Sequence, residues 1–316
     1  MKINENYKNL EESYLFSTIA KKVDEYTKAH PEAKVIKMGI GDVTLPICQK
    51  AADAFAKAAM EQGKAATFHG YGPEQGYDFL RVAVQKYYAS FQVEVAAEDI
   101  FISDGAKSDV GNILDLFDAD NTVLIPDPVY PVYMDTNVMA GRKIVFMDAN
   151  VENGFLPMPP KGQKADIIYL CSPNNPTGNA FPEAEIERLL RRFDGMVLLD
   201  EAYIDFSDMP GFLARLDEFP NLIILQTLSK AWGMAGLRFG LAFASDAVAA
   251  LFARVKYPYN INCLAQQAVA ERLSDDITPQ VAELCAERNA LTWALADCPA
   301  VVQVYPSDAN FILIRT

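Results

Sequence analysis

Histidine and cysteine are scarce in this chain, and basic residues are outnumbered by acidic ones. Across 316 residues there are 2 histidines, His30 and His69, too few for a multi-histidine metal site and poor material for a Ser-His-Asp triad. The 5 cysteines (Cys48, Cys171, Cys263, Cys285, Cys298) are scattered and contain no C-x-x-C pair. Neither a disulfide framework nor a thiolate metal centre is expected from them, and a reducing cytoplasm fits. No apolar run approaches the ~18 residues of a membrane span, and the opening M-K-I-N-E-N-Y lacks the apolar core of a signal peptide, so no membrane partner is expected. With 28 bases against 42 acids the net charge is −14, a sign that repels phosphate backbones and disfavours nucleic acid as a partner.

What remains is an ordinary globular composition, 51% hydrophobic and 22% charged, in a chain long enough for about two domains at roughly 150 residues each. Between Ser13 and Ala29 apolar residues fall at Leu15, Ile19, Val23 and Tyr26, the helical period. From Asp99 onward β-branched runs alternate with helical patterns: Ile100–Ser103, Thr122–Ile125, Lys143–Met147, Ile167–Cys171, Val197–Leu199, Leu222–Leu225 and Phe239–Phe243. This alternation predicts an α/β fold around a mostly parallel sheet covered by helices on both faces. Beyond Phe243 the periodicity predicts helices over 246–256, 262–273 and 279–295, then short strands over 301–305 and 311–314, the pattern of a smaller α+β domain.

In open α/β sheets ligands bind beyond the carboxyl ends of the strands. Here those ends carry Ser172–Gly178 (S-P-N-N-P-T-G), Asp200–Tyr203 (D-E-A-Y) and Gln226–Lys230 (Q-T-L-S-K), with Arg238 eight residues after Lys230. A lysine amine, a carboxylate, an amide, a phenol, hydroxyls and an arginine suit a phosphorylated aromatic aldehyde, pyridoxal 5′-phosphate. Lys230 fits its Schiff base, and Asp200 fits the ring nitrogen that makes the ring an electron sink. Asn175 and Tyr203 would serve the ring oxygen, and Thr227, Ser229 and Arg238 the phosphate. Ala106 and Lys107, in S-D-G-A-K, open a helix whose first amides attract anions. An aromatic face for the ring comes from Tyr130 or Tyr133 in D-P-V-Y-P-V-Y, between which the motif does not choose.

N-N-P-T-G, D-E-A-Y, S-K and the following arginine stand in the order found in fold-type I pyridoxal-phosphate aminotransferases of class I and II, which the chain resembles along essentially its whole length. The resemblance implies a large cofactor-binding domain over 36–258, with 1–35 and 259–316 forming a smaller one. It also implies a homodimer with active sites at the subunit interface, and a small-molecule amino donor with a 2-oxo acid acceptor such as 2-oxoglutarate. Up to about residue 178, stretches such as G-I-G-D-V-T-L-P, F-H-G-Y-G-P-E-Q-G-Y and S-D-G-A-K-S-D are similar to LL-diaminopimelate aminotransferases. By that likeness Tyr14, Gly41, Lys107, Tyr130 and Asn175 contact substrate, and Tyr71 reaches the cofactor phosphate of the neighbouring subunit.

From about residue 179, L-L-D-E-A-Y-I-D-F, Q-T-L-S-K-A-W-G-M-A-G-L-R-F-G and K-Y-P-Y-N-I-N are similar to histidinol-phosphate aminotransferases, which places Asn260 near the cofactor. LL-2,6-diaminopimelate is therefore the leading substrate and histidinol phosphate the alternative. Members of both groups continue past the equivalent of residues 310–315 into a portion bearing an arginine for the substrate carboxylate. The small domain is accordingly expected to be incomplete, and a cofactor-binding but catalytically incomplete protein is a further alternative.

Overall fold

The computed structural model describes residues 2–10, 15–38, 43 and 45–316. Six strands form its centre: β1 (Thr122–Asp127), β2 (Lys143–Asp148), β3 (Ile167–Cys171), β4 (Met196–Asp200), β5 (Leu222–Thr227) and β6 (Gly240–Ala244). They lie in the order β2-β1-β3-β4-β5-β6, parallel throughout except for the antiparallel β5–β6 pair. The helices are α1 (Leu15–Ala29), α2 (Gln49–Gln62), α3 (Asp78–Ala89), α4 (Ala106–Ile113), α5 (Pro131–Met139), α6 (Glu183–Arg192), α7 (Asp246–Val255), α8 (Cys263–Arg272) and α9 (Thr278–Ala296). A small antiparallel pair, β7 (Gln303–Val304) and β8 (Ile314–Arg315), follows α9.

The central strands are apolar on both sides because both sheet faces are covered. Along β3, Ile168 and Leu170 enter the core beside α3 and α6, while Ile167, Tyr169 and Cys171 enter the core beside α4, α5 and α7. The same alternation sends Val197 and Leu199 of β4 to the first face and Leu198 to the second, and in β5 Ile224 to the first with Ile223 and Leu225 to the second. Each such buried aliphatic side chain contributes roughly 1.5–3 kcal/mol, so the sheet register is held by the two cores together. Local signals agree with the helix ends. Pro131 opens α5, Asn262 caps α8 by accepting from the Ala265 amide at 2.9 Å, and α6 has acids in its first turn and arginines in its last.

Three expected strands come out differently. The 100–103 run forms a single bridge, Ser103 to Gly240, because the Ile102 amide is taken by the Gln75 carbonyl at 3.2 Å and the chain turns at Gly105, where φ is +125°. The 301–305 and 311–314 runs shrink to the two-residue strands β7 and β8, since residues between them fold into a turn closed by Ser307 Oγ donating to the Phe311 carbonyl at 2.5 Å. The long turn-rich stretch after β2 is a loop, as expected, apart from one bridge between Asp148 and Met158. Among the described residues no helix is long and apolar enough to cross a membrane.

Candidate active site

The ends of β3, β4 and β5 converge on a cavity of about 310 Å³. The period-two alternation decides what faces it: continuing the α4/α5 side of each strand past its last apolar residue brings Cys171, Asp200 and Thr227 to the cavity wall. Asp200 is 8% exposed, and its Oδ2 accepts a hydrogen bond from the Tyr133 hydroxyl while Oδ1 accepts from the Ala202 amide at 2.9 Å. Burial pushes the Asp200 carboxyl up; the Tyr133 and Ala202 donors and the Lys230 ammonium act in the opposite direction. A buried carboxylate at a cavity floor, held by donors and facing a cation, is poised to pair with a further positive group.

Lys230 sits in the β5–β6 connection. Leu228 donates to the Phe239 carbonyl at 3.2 Å and Met234 to the Leu228 carbonyl at 3.1 Å, a closed loop that presents the lysine half-buried at the cavity. Its Nζ lies 5.3 Å from the centre of the Tyr203 ring. Tyr203 in turn accepts from Asn175 Nδ2 at 3.3 Å, and burial pushes its phenol well above the ordinary range. Tyr130 and Tyr133, ring centres 5.8 Å apart and nearly perpendicular, both line the cavity, but they differ in depth. Tyr133 is buried, stacked on Tyr169 and bonded to Asp200, whereas Tyr130 is half-exposed.

The opposite wall is built for an anion. α4 begins at Ala106, so its opening amides and the positive end of its dipole reach the cavity beside Lys107. Gly105 leaves room for Arg238: a Cβ there would stand 2.7 Å from Arg238 Nη2. Gly240 permits the close approach of β6 to this turn, since a Cβ on it would stand 2.4 Å from the Ala106 nitrogen. Thr227 Oγ1 lies 3.0 Å from Ser229 Oγ, and Arg238, itself in the left-handed region at φ 55°, donates to the Ala235 carbonyl at 3.1 Å. Hydroxyls, helix amides and a guanidinium around one recess form a phosphate-type donor set.

A model of the family described as "Aminotransferase class I and II" matches residues 33–316. The chain belongs to the class I and II aminotransferases. An LL-diaminopimelate aminotransferase from Methanosphaera stadtmanae is 43% identical to it over 257 residues, 75% of this chain and 62% of that protein. One from Desulfosudis oleivorans is 44% identical over 257 residues, again 75% of this chain and 62% of that protein. The chain thus spans less than two thirds of the length of these curated relatives. The solved L,L-diaminopimelate aminotransferase from Chlamydomonas reinhardtii superposes with a TM-score of 0.84 at 31% identity, covering 99% of this chain and 84% of that one. A histidinol-phosphate aminotransferase from Clostridium acetobutylicum, at TM-score 0.74 and 20% identity over 89% of this chain and 83% of that one, shares the fold.

Pyridoxal 5′-phosphate is the cofactor of class I and II aminotransferases, and the donor set fits it: a buried carboxylate for the ring nitrogen, a lysine amine, an amide and phenol, and an anion recess. Of the residues singled out in the sequence, the cavity brings together Lys230, Asp200, Asn175, Tyr203, Arg238, Ser229, Thr227, Ala106, Lys107 and Tyr130. It does not bring in Tyr71 or Asn260. Tyr71 is 91% exposed and packs against Tyr259, ring centres 5.1 Å apart, in a separate cleft that Asn260 also lines. Asn260 donates to Asp104 Oδ1 at 3.0 Å and accepts from Lys256 Nζ at 3.3 Å. Tyr14 and Gly41 lie outside the described residues.

Sequence reasoning missed the Tyr133–Asp200 bond, although D-P-V-Y-P-V-Y held its donor, and missed Cys171, which strand alternation alone would have put on the cavity face. It also missed the support of the Ser172–Gly178 loop. Asp308 donates its amide to the Gly178 carbonyl and accepts from the Ala180 amide, both at 2.7 Å, and Phe311 packs edge-on against Tyr203 at 5.2 Å. Among the described residues no group of three or more histidine, cysteine or acidic side chains is arranged to hold a metal ion.

Proposed function

We propose that this chain is a pyridoxal-phosphate aminotransferase that moves an amino group from LL-2,6-diaminopimelate to a 2-oxo acid such as 2-oxoglutarate. The observation that carries this reading is the convergence of Lys230, Asp200 and the phosphate-type donors Ala106, Ser229 and Arg238 on one cavity. The identity to LL-diaminopimelate aminotransferases supports that substrate over histidinol phosphate.

Bound in this cavity, pyridoxal phosphate would supply the electron sink that stabilises negative charge at the substrate α-carbon. The chain's own residues do the rest. Asp200, fixed by Tyr133 and Ala202, would hold a proton on the ring nitrogen. Asn175 and Tyr203 would serve the ring oxygen, Tyr130 would offer the ring an aromatic face, and Thr227, Ser229, Arg238 and the opening amides of α4 would hold the phosphate. Lys230 Nζ, as the free amine, would take the substrate α-proton and deliver a proton to the aldehyde-derived carbon of the cofactor, across the intervening nitrogen. Lys107, Tyr130 and Asn175, with Tyr14 and Gly41, are assigned to substrate contact by likeness to the LL-diaminopimelate enzymes.

The same reading includes a large unit over 36–258 with a second unit formed by 1–35 and 259–316, a homodimer, and a cytoplasmic location. Five free cysteines suit a reducing compartment, and the exposed Phe68, Tyr71 and Tyr257 form apolar surface that a second copy would cover. Absorbance of the purified protein with pyridoxal phosphate, then with LL-diaminopimelate and separately with histidinol phosphate, tests the function. Conversion of the visible band by LL-diaminopimelate is expected. A band unchanged by either donor would mean binding without turnover. Lys230→Ala is expected to remove both the lysine-dependent band and turnover; persistence of both would refute Lys230's role.

A further inference from the structure

The alternation that turns Asp200 and Thr227 toward the cavity turns their neighbours Glu201 and Gln226 to the other face of the sheet. There they meet. Gln226 Nε2 donates to Glu201 Oε2 at 2.9 Å, the Phe212 amide donates to Glu201 Oε1 at 2.8 Å, and Tyr88 of α3 donates to Gln226 Oε1 at 2.8 Å. Gly211 allows this wrap: at φ +70° its missing Cβ would stand 3.0 Å from Glu201 Oε1. Glu201 is 2% exposed and stands beside two further acids, Asp200 and Asp205, so burying it is costly. A carboxylate kept in so unfavourable a place, with both oxygens satisfied by donors from two other segments, acts as a tie.

We propose that Glu201 is a positioning residue: through Gln226 and Phe212 it clamps the ends of β4 and β5 from behind, fixing the placement of Asp200 against the Thr227–Lys230 segment. This rests on the cofactor reading given above, since the consequence of loosening the clamp is a misplaced ring-nitrogen carboxylate and lysine. In the parallel β4–β5 ladder Asp200 pairs with Leu225, the last paired position, and the Glu201 amide donates to the Leu225 carbonyl at 2.8 Å. The side-chain tie takes over one residue further on.

Three variants separate the tie from the charge. Glu201→Ala removes both acceptors and leaves the Gln226 and Phe212 donors buried without partners. Glu201→Gln removes the charge alone: its carbonyl still accepts from Phe212, and its amide is accepted by a Gln226 side chain turned over, with Tyr88 Oη taking the remaining bond. The double swap E201Q/Q226E keeps all three bonds with the charge moved to β5. The readouts are equilibrium uptake of pyridoxal phosphate by the apoprotein, the pH midpoint of the resulting visible band, and thermal unfolding of the apoprotein.

E201A is expected to take up cofactor about tenfold more weakly and to move the midpoint by about half a pH unit or more, with E201Q and the swap within about threefold of wild type. Wild-type uptake by E201A, or loss in E201Q as large as in E201A, overturns the clamp. If E201A does not fold, the swap decides: retained uptake supports the clamp and lost uptake overturns it. Absence of uptake by the wild-type protein itself would refute the cofactor reading, and the clamp's consequence with it.

Discussion

Replacing Asp109 by asparagine should change how stability depends on pH. Asp109 lies in the first turn of α4 at 1% exposure; its Oδ2 accepts from Ser103 Oγ at 2.6 Å, and its Oδ1 is buried with no hydrogen-bond partner. Burial pushes its carboxyl from 3.8 up to about 7, against the pull of the Ser103 hydroxyl and of the nearby Lys256. The folded value lies above the unfolded one, so between them the native state keeps a proton that the unfolded chain has released. The stability this contributes is fully present below 3.8 and is lost as pH rises through about 7.

From about pH 5 to pH 7 that loss covers about two pH units at about 1.4 kcal/mol each, or about 3 kcal/mol. Asparagine has the shape of the protonated acid and cannot ionise, so the variant should lack this slope. Glu201 and Asp205, raised by burial to about 7 and about 6, titrate in both proteins and cancel in the difference. Denaturant unfolding of both proteins at about pH 5 and about pH 8 measures it. The wild type is expected to lose about 3 kcal/mol more than Asp109→Asn between the two. Parallel pH curves would refute the reasoning, because they would mean that Asp109 ionises in the folded protein as easily as in the unfolded one.

Further outcomes follow from the geometry of the cavity wall. Gly240→Ala drives a methyl group to 2.4 Å from two backbone atoms, Ala106 N and Gly105 C, and should cost about 1–3 kcal/mol, read as a lower denaturation midpoint; an unchanged midpoint contradicts the close approach. Tyr133→Phe leaves Asp200 Oδ2 without its side-chain donor and should cost about 1–3 kcal/mol in urea unfolding, together with weaker cofactor uptake. Arg238→Ala should weaken uptake of pyridoxal phosphate by about tenfold while leaving uptake of pyridoxal, which has no phosphate, unchanged. Equal loss for both ligands would remove Arg238 from the phosphate site.

What the sequence made legible is what chain-local physics decides. β3, β4 and β5 announce themselves because strands buried on both faces must be apolar throughout, and the polar motifs that break those runs at Ser172, Asp200 and Gln226 mark where the sheet ends and solvent-facing chemistry begins. The same local reading fails where two distant segments compete. Ile100–Ser103 has strand composition, yet its Ile102 amide goes to Gln75, and only the fold decides that contest. Asp200 was readable as a buried carboxylate, but its donor, Tyr133, lies 67 positions upstream, beyond any periodicity. Glu201 and Gln226 are 25 positions apart and look like surface residues until both strand phases are known.

The buttress under the Ser172–Gly178 loop also has a bearing on the order of assembly. Asp308 reaches back 128 positions to the Ala180 amide, and Phe311 reaches back to Tyr203. During synthesis the six central strands, which end at Ala244, are available for pairing well before those residues emerge from the ribosome. The scaffold can therefore form early, while the loop bearing Asn175 acquires this support only after residues 308–311 have been made. Contacts of such sequence separation are slow to close, because the entropy of the intervening chain must be lost before they form. A nascent chain halted before Asp308 would carry a sheet with an unfinished pocket, and competence to hold a ligand would lag behind formation of the sheet.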